Sequence, residues 1–118
     1  MTEFLEVRTT IDTKEGAQKI AETLVSKRLA ACVQVSGPLT STYWWQEKME
    51  VAEEWTCSAK TRRELYEKLE QAIREVHPYD EPEIIATLIV TGSSGYLNWL
   101  LRETEESRAT GEEAERDS

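Results

Sequence analysis

The stretch Ala31–Lys60, ACVQVSGPLTSTYWWQEKMEVAEEWTCSAK, decides the fold. Leu29 to Val35 has a strand pattern, Gly37-Pro38 interrupts it with a residue that cannot donate to a ladder, and Thr40 to Trp45 resumes it. Charged residues from Gln46 to Glu54 follow, and Trp55 to Lys60 alternates again as a returning arm. The turn between the arms lacks glycine, which leaves its type open. Arms of roughly 12 to 15 residues at about 3.3 Å per residue would reach about 40 to 50 Å, whereas a compact domain of this size has a radius of gyration of about 13 Å. The hairpin therefore overshoots its own core. Tyr43, Trp44, Trp45 and Trp55 lie along it on both faces, and a projecting aromatic ribbon needs a second chain to cover it.

The hairpin is flanked by two similar units. Before it, Leu5, Val7, Thr9 and Ile11 alternate with polar residues as a half-buried strand does. Asp12 with Glu15 then reads as a capping box, and Ala17, Ile20, Ala21, Leu24 and Val25 recur at helical spacing up to about Arg28. After the hairpin, Thr61 with Glu64 reads as a second capping box, Leu65, Leu69, Ala72, Ile73 and Val76 share a helical face, and Pro78 stops that helix. Ile84 to Val90 is almost continuously apolar, the pattern of a strand covered on both faces. Ser94 is a candidate cap for a short third helix from Tyr96 to about Glu105. The order is βαββαβ, so the expected class is α+β: a ferredoxin-like sandwich with both main helices on one face, a long β-hairpin and a short C-terminal helix.

At 118 residues the chain holds one domain, expected over 1–107. Residues 108–118 carry no large apolar side chain and are expected to form a disordered acidic tail. Composition is ordinary for a globular protein, with 39% hydrophobic and 31% charged residues, and no apolar run approaches a membrane span. No secretory signal is visible at the start, so a cytoplasmic location is expected, with Cys32 and Cys57 reduced. A net charge of −9 with no Lys/Arg cluster argues against nucleic acid, and makes cations the more natural partner.

His77-Pro78-Tyr79-Asp80-Glu81-Pro82-Glu83 gathers the only histidine and three carboxylates. Imidazole and carboxylate oxygens ligate divalent metals, but a histidine at a helix end also suits the macrodipole with no further role. Cys32 is a soft-metal ligand if ionised and a small buried hydrophobe if packed inside the sheet. Cys57 has less to recommend it as a ligand. No CxxC, HxxxH or HExxH spacing occurs, so a metal site has to be assembled from distant segments or several chains. The lone histidine has no serine partner suited to nucleophilic catalysis, and there is no glycine-rich phosphate loop. The expectation is a protein without enzymatic activity.

Several motifs, taken in order and spacing, resemble the CutA divalent-cation tolerance family. They are Lys27-Arg28-Leu29-Ala30-Ala31-Cys32-Val33, Ser41-Thr42-Tyr43-Trp44-Trp45 with Glu47-Lys48, Lys60-Thr61, His77-Pro78-Tyr79, Pro82-Glu83-Ile84 and Tyr96-Leu97-Asn98-Trp99. The resemblance covers the chain to about Arg102. It implies a homotrimer made by the long hairpins and a role in tolerance of divalent cations, copper especially. An alternative it also implies is a signalling trimer of the PII type, with a small molecule in the clefts between subunits and an unidentified partner protein reading its state. Carried over by position, the cleft is expected to hold Cys32, Tyr43, Trp45, Lys60, His77, Tyr79 and Glu83; ligand chemistry makes Cys32 or His77 the expected metal ligand there, with Glu83 as an oxygen ligand. Gln34 stands where the family commonly has asparagine, and Glu47 where a glycine usually precedes the lysine.

Overall fold

A computed structural model describes residues 2–105, so the expectation for 108–118 lies outside the described residues. The elements are β1 (Phe4–Ile11), α1 (Lys14–Ser26), β2 (Cys32–Trp45), β3 (Lys48–Arg62), α2 (Tyr66–Val76), β4 (Ile84–Ile89) and α3 (Ser94–Glu103), with a short 3-10 turn at Arg63–Leu65. The four strands form one antiparallel sheet in the order β2-β3-β1-β4. This is the expected ferredoxin-like α+β arrangement.

Period-two alternation sets which side of the sheet is covered. Leu5, Val7, Thr9 and Ile11 of β1 face Thr61, Ala59, Cys57 and Trp55 of β3 in register, and this side packs beneath α1 and α2. The helices contribute Ala17, Ile20 and Leu24 from α1 and Leu69, Ala72 and Ile73 from α2, all buried. Each fully buried leucine or isoleucine among them contributes about 1.5–3 kcal/mol by leaving water. The Cys57 thiol donates to the Ala17 carbonyl at 3.3 Å, and burial pushes its pKa up to about 11, so it is an inert core group.

Both expected capping boxes are displaced. Thr13, not Asp12, caps α1, its hydroxyl accepting from the Gly16 N–H at 3.0 Å. Thr61 does not cap α2: it is the buried penultimate residue of β3, and its hydroxyl donates to the Leu29 carbonyl at 2.6 Å. The helix after it starts through the 3-10 turn without a side-chain cap. The third helix begins at Ser94, two residues earlier than expected, with Ser93 at its N-cap.

The hairpin is longer on its return than the charge pattern suggested. β3 starts at Lys48, directly after a two-residue turn in which Gln46 and Glu47 have φ of 49° and 65°, the conformation of a type I′ turn. β2 runs through the Gly37-Pro38 interruption as one strand, and the cis Gly37-Pro38 bond lies in a register shift between Ser36 and Leu39. β1 follows β3 only as far as Trp55, so 39–45 and 48–54 project as a bare two-stranded ribbon. The molecule is accordingly elongated, 55 × 33 × 22 Å.

The apolar run Ile84–Val90 is not covered on both faces. Among the described residues β4 is an edge strand paired only to β1, and Ile85 and Leu88 are about half exposed at 46% and 52%. Within one chain the run thus has apolar surface to spare, as does the ribbon.

Candidate functional site

The side of the sheet away from the helices carries the polar candidates. Strand register places Cys32, Gln34 and Ser36 of β2 beside Lys60, Ser58 and Thr56 of β3, which in turn lie beside Glu6, Arg8 and Thr10 of β1. At its centre Lys60 Nζ donates to Gln34 Oε1 at 2.9 Å and lies 3.5 Å from Glu6 Oε2, which also accepts a hydrogen bond from the Ser58 hydroxyl. The Ser58 hydrogen bond, helped by the Lys60 charge, holds the Glu6 carboxyl below the usual carboxylate range. Lys60 is thus fixed in a charged ladder, beside Cys32 in the strand register. Cys32 is partly exposed at the start of the edge strand.

A second cluster forms at the base of the ribbon. Pro78 pushes His77 out of the helical conformation at the end of α2, with φ −85° and ψ 133°. Its ring then accepts the Tyr79 N–H at Nδ1, 3.2 Å, and donates from Nε2 to the Thr10 carbonyl at 2.8 Å. Both ring nitrogens are spent on backbone groups, and the ring is buried, edge-on to Tyr79. Here the histidine ties the α2–β4 loop to β1. Tyr79 carries the tie further, its hydroxyl donating to Glu54 Oε2 at 3.0 Å. Glu54 is buried although it is ionisable, at the ribbon position next to the last β3 residue paired with β1, Trp55. Burial, the Glu54 hydrogen bond and the Glu54 charge raise the Tyr79 pKa, with Asp12 and Tyr43 adding smaller effects.

That network gives a pH dependence of definite sign. A tyrosine whose folded pKa exceeds its unfolded value near 10 stabilises the fold fully below that pH, and the contribution fades as the pH rises beyond it. Tyr79→Phe is expected to be about 1–3 kcal/mol less stable at pH 7, because the buried Glu54 carboxylate loses its donor. Above about pH 10 the gap to wild type should narrow, since the variant lacks this titration. Urea midpoints of both proteins at pH 7, 9 and 10.5 check it, and parallel curves would show that Tyr79 does not couple to the fold.

The structure does not bring the three expected metal ligands together in one chain. Lys60, which pairs with Cys32, is six residues along β3 from Glu54, about 20 Å at about 3.3 Å per residue. Glu83, just before β4, lies across the sheet from β2 and pairs with Arg8 at 3.5 Å. Among the described residues no group of three or more His, Cys, Asp or Glu side chains is placed to hold a metal ion. Of the other cleft candidates, Tyr43 and Trp45 share one side of the ribbon with Glu54, and both are exposed. Glu54 itself was missed by sequence reasoning, being counted with the charged residues of the turn. Its signal was the alternation of Glu54 with Trp55 and Thr56, continued one step back from the returning arm.

A family model described as CutA1 divalent ion tolerance protein matches residues 5–103. The chain is 40% identical over 98 residues to the divalent-cation tolerance protein CutA of Pyrococcus horikoshii, covering 83% of this chain and 95% of that one. It is 38% identical over 101 residues to the chloroplastic protein CutA 1 of Oryza sativa subsp. japonica, covering 86% of this chain but only 57% of that longer protein. Among solved structures, the Cut A1 divalent cation tolerance protein of Thermus thermophilus superposes with a TM-score of 0.83 at 39% identity, covering 89% of this chain and all of that one.

Proposed function

This chain belongs to the CutA1 divalent ion tolerance family, and from that premise we propose that it acts as a homotrimer that binds a divalent metal, copper by preference, without enzymatic activity. The observation that carries the proposal is apolar surface that no described element of the chain covers: the ribbon residues Trp44, Met49 and Val51 at 75%, 67% and 63% exposure, and the edge strand β4. Two free edges, β2 and β4, leave backbone groups open to a neighbouring chain.

The metal is then held between chains. The described residues of one chain do not make a complete site, since both His77 ring nitrogens are hydrogen-bonded to backbone groups and Cys32, His77 and Glu83 lie apart. Cys32 is the donor best placed to be completed by another chain, being on an edge strand and partly exposed. A thiolate suits copper better than magnesium or calcium. The proposed location is the cytoplasm, and no described helix is long and apolar enough to cross a membrane.

Copper affinity measured on wild type, Cys32→Ser and His77→Ala, with trimer mass checked for each, tests the reading. Cys32→Ser is expected to weaken binding at least tenfold, about 1.4 kcal/mol. His77→Ala should change stability more than affinity. Equal affinity in all three would remove Cys32 and His77 as ligands. The polar ladder of Glu6, Ser58, Lys60 and Gln34 favours, in that event, the second reading of a PII-like signalling trimer taking a polar small molecule between subunits.

A further inference from the structure

A cavity of about 490 Å³ lies where the end of α1, the start of α2 and the end of α3 meet. Lys27, Arg28, Arg62 and Lys68 line it, against Glu64 and Glu105. Four of the chain's 14 basic side chains therefore converge on one hollow of a protein whose net charge is −9. No Lys/Arg cluster is visible in the sequence because these residues come from three separate elements.

The two arginines and the two lysines play different parts. Arg62 is fixed: Nε donates to Thr104 Oγ1 at 2.9 Å, Nη2 to the Thr104 carbonyl at 2.6 Å, and Nη1 to Glu64 at 3.0 Å. Arg28 Nη1 holds Glu103 at 2.7 Å. These contacts make a rigid wall and neutralise Glu64. Lys27 and Lys68, by contrast, have no acidic partner among the described residues. Helix stability does not account for Lys68, which sits in the first turn of α2, where a positive charge opposes the macrodipole.

We infer that this cavity, lined by none of the residues expected in the clefts between subunits, binds a small multiply charged anion of the pyrophosphate or phosphate-ester class within a single chain. Its size is in the range of small-molecule sites. The unspent lysine ammonium groups supply charge-assisted hydrogen bonds to phosphate oxygens, and the fixed Arg62 sets the position of the wall. Glu105 is a lining carboxylate with no basic partner among the described residues. It lowers the positive charge facing the hollow by one, and the two unpaired lysines leave that charge positive, so the attraction grows with the charge on the anion.

The test is calorimetric titration of the full chain with inorganic pyrophosphate in about 0.1 M salt, where longer-range attraction is screened. Saturable binding with Kd below about 1 mM is expected, with at least a tenfold loss in Lys27→Gln/Lys68→Gln. Lys27→Arg/Lys68→Arg, which keeps both charges, should stay within about threefold of wild type. Lys19→Gln, an exposed α1 lysine outside the cavity, should bind as wild type does. No saturable heat, an unchanged Kd in the glutamine variant, or an equal loss in Lys19→Gln would each overturn the assignment.

Discussion

Trp44→Asp is expected to leave a folded chain that scatters light as a monomer, where the wild type should show three times the chain mass. On the ribbon Trp44 pairs with Met49, and strand alternation puts Val51 on the same side. These three side chains are the most exposed large hydrophobics on the hairpin, and none joins the buried core cluster. A buried tryptophan removes about 150–250 Å² from water, so placing one against a neighbouring chain is worth several kcal/mol at about 25 cal/mol per Å². An aspartate there would have to be desolvated without a partner in every subunit of the assembly. A loss of more than about 2 kcal/mol of association free energy per chain is therefore expected. Because the residue supports no contact in its own core, far-UV circular dichroism should be nearly unchanged. Trimer mass retained in Trp44→Asp would mean the ribbon is not the assembly surface. Trp45→Ala, on the opposite side at 59% exposure, should act in the same direction more weakly.

The regular parts of this fold were legible because burial imposes a period. One buried face gave β1 its alternation, and one buried stripe gave α1 and α2 their helical spacing. The misreadings occur where a local signal met a tertiary competitor. Thr61 has the residue type and spacing of an N-cap, yet its hydroxyl is used in the core, donating to the Leu29 carbonyl. Gln46 and Glu47 turn the chain with positive φ although neither is a glycine, so composition could not announce the turn. The apolar pattern of β4 is that of a strand covered on both faces. In one chain it is an edge with half-exposed side chains, since sequence reports that a surface must be covered and not which molecule covers it.

The site was legible by residue and not by geometry. His77 was singled out as a metal ligand or a helix-end cation, and the structure instead spends its ring on two backbone groups that only the folded loop brings near. Lys60 and Tyr79 do fall among polar and ionisable neighbours. The residue that joins Tyr79 to the ribbon, Glu54, is one acid among several in its stretch and becomes distinctive only when buried. The basic cavity escaped for the same reason, because Arg62 and Lys68 are separated by more than a helical turn in sequence from each other and by the whole hairpin from Lys27.

The position that aims the ribbon is Gly37, and Gly37→Ala should cost about 2–4 kcal/mol. Two independent effects add there. The backbone has φ of +147°, a region that residues with a side chain rarely adopt. A Cβ would also stand 2.7 Å from Trp55 Cδ1 and 3.0 Å from the Glu54 carbonyl oxygen. Neither neighbour can yield cheaply, because Trp55 packs against the core and the Glu54 backbone begins the ribbon beside the carboxylate that Tyr79 binds. Relief requires a shift in the irregular register between Ser36 and Leu39, which would re-aim every residue from Leu39 to Trp45. The proposed trimer should therefore weaken along with the fold. Gly95→Ala is the matched control: Gly95 lies in α3 with nothing within 4 Å of the added carbon, so that change should be neutral or stabilising by up to about 1 kcal/mol. Urea unfolding and light scattering on both variants separate the two cases. A Gly37→Ala protein within about 0.5 kcal/mol of wild type, still trimeric, would show that the bulge bends freely and does not fix the direction of the ribbon.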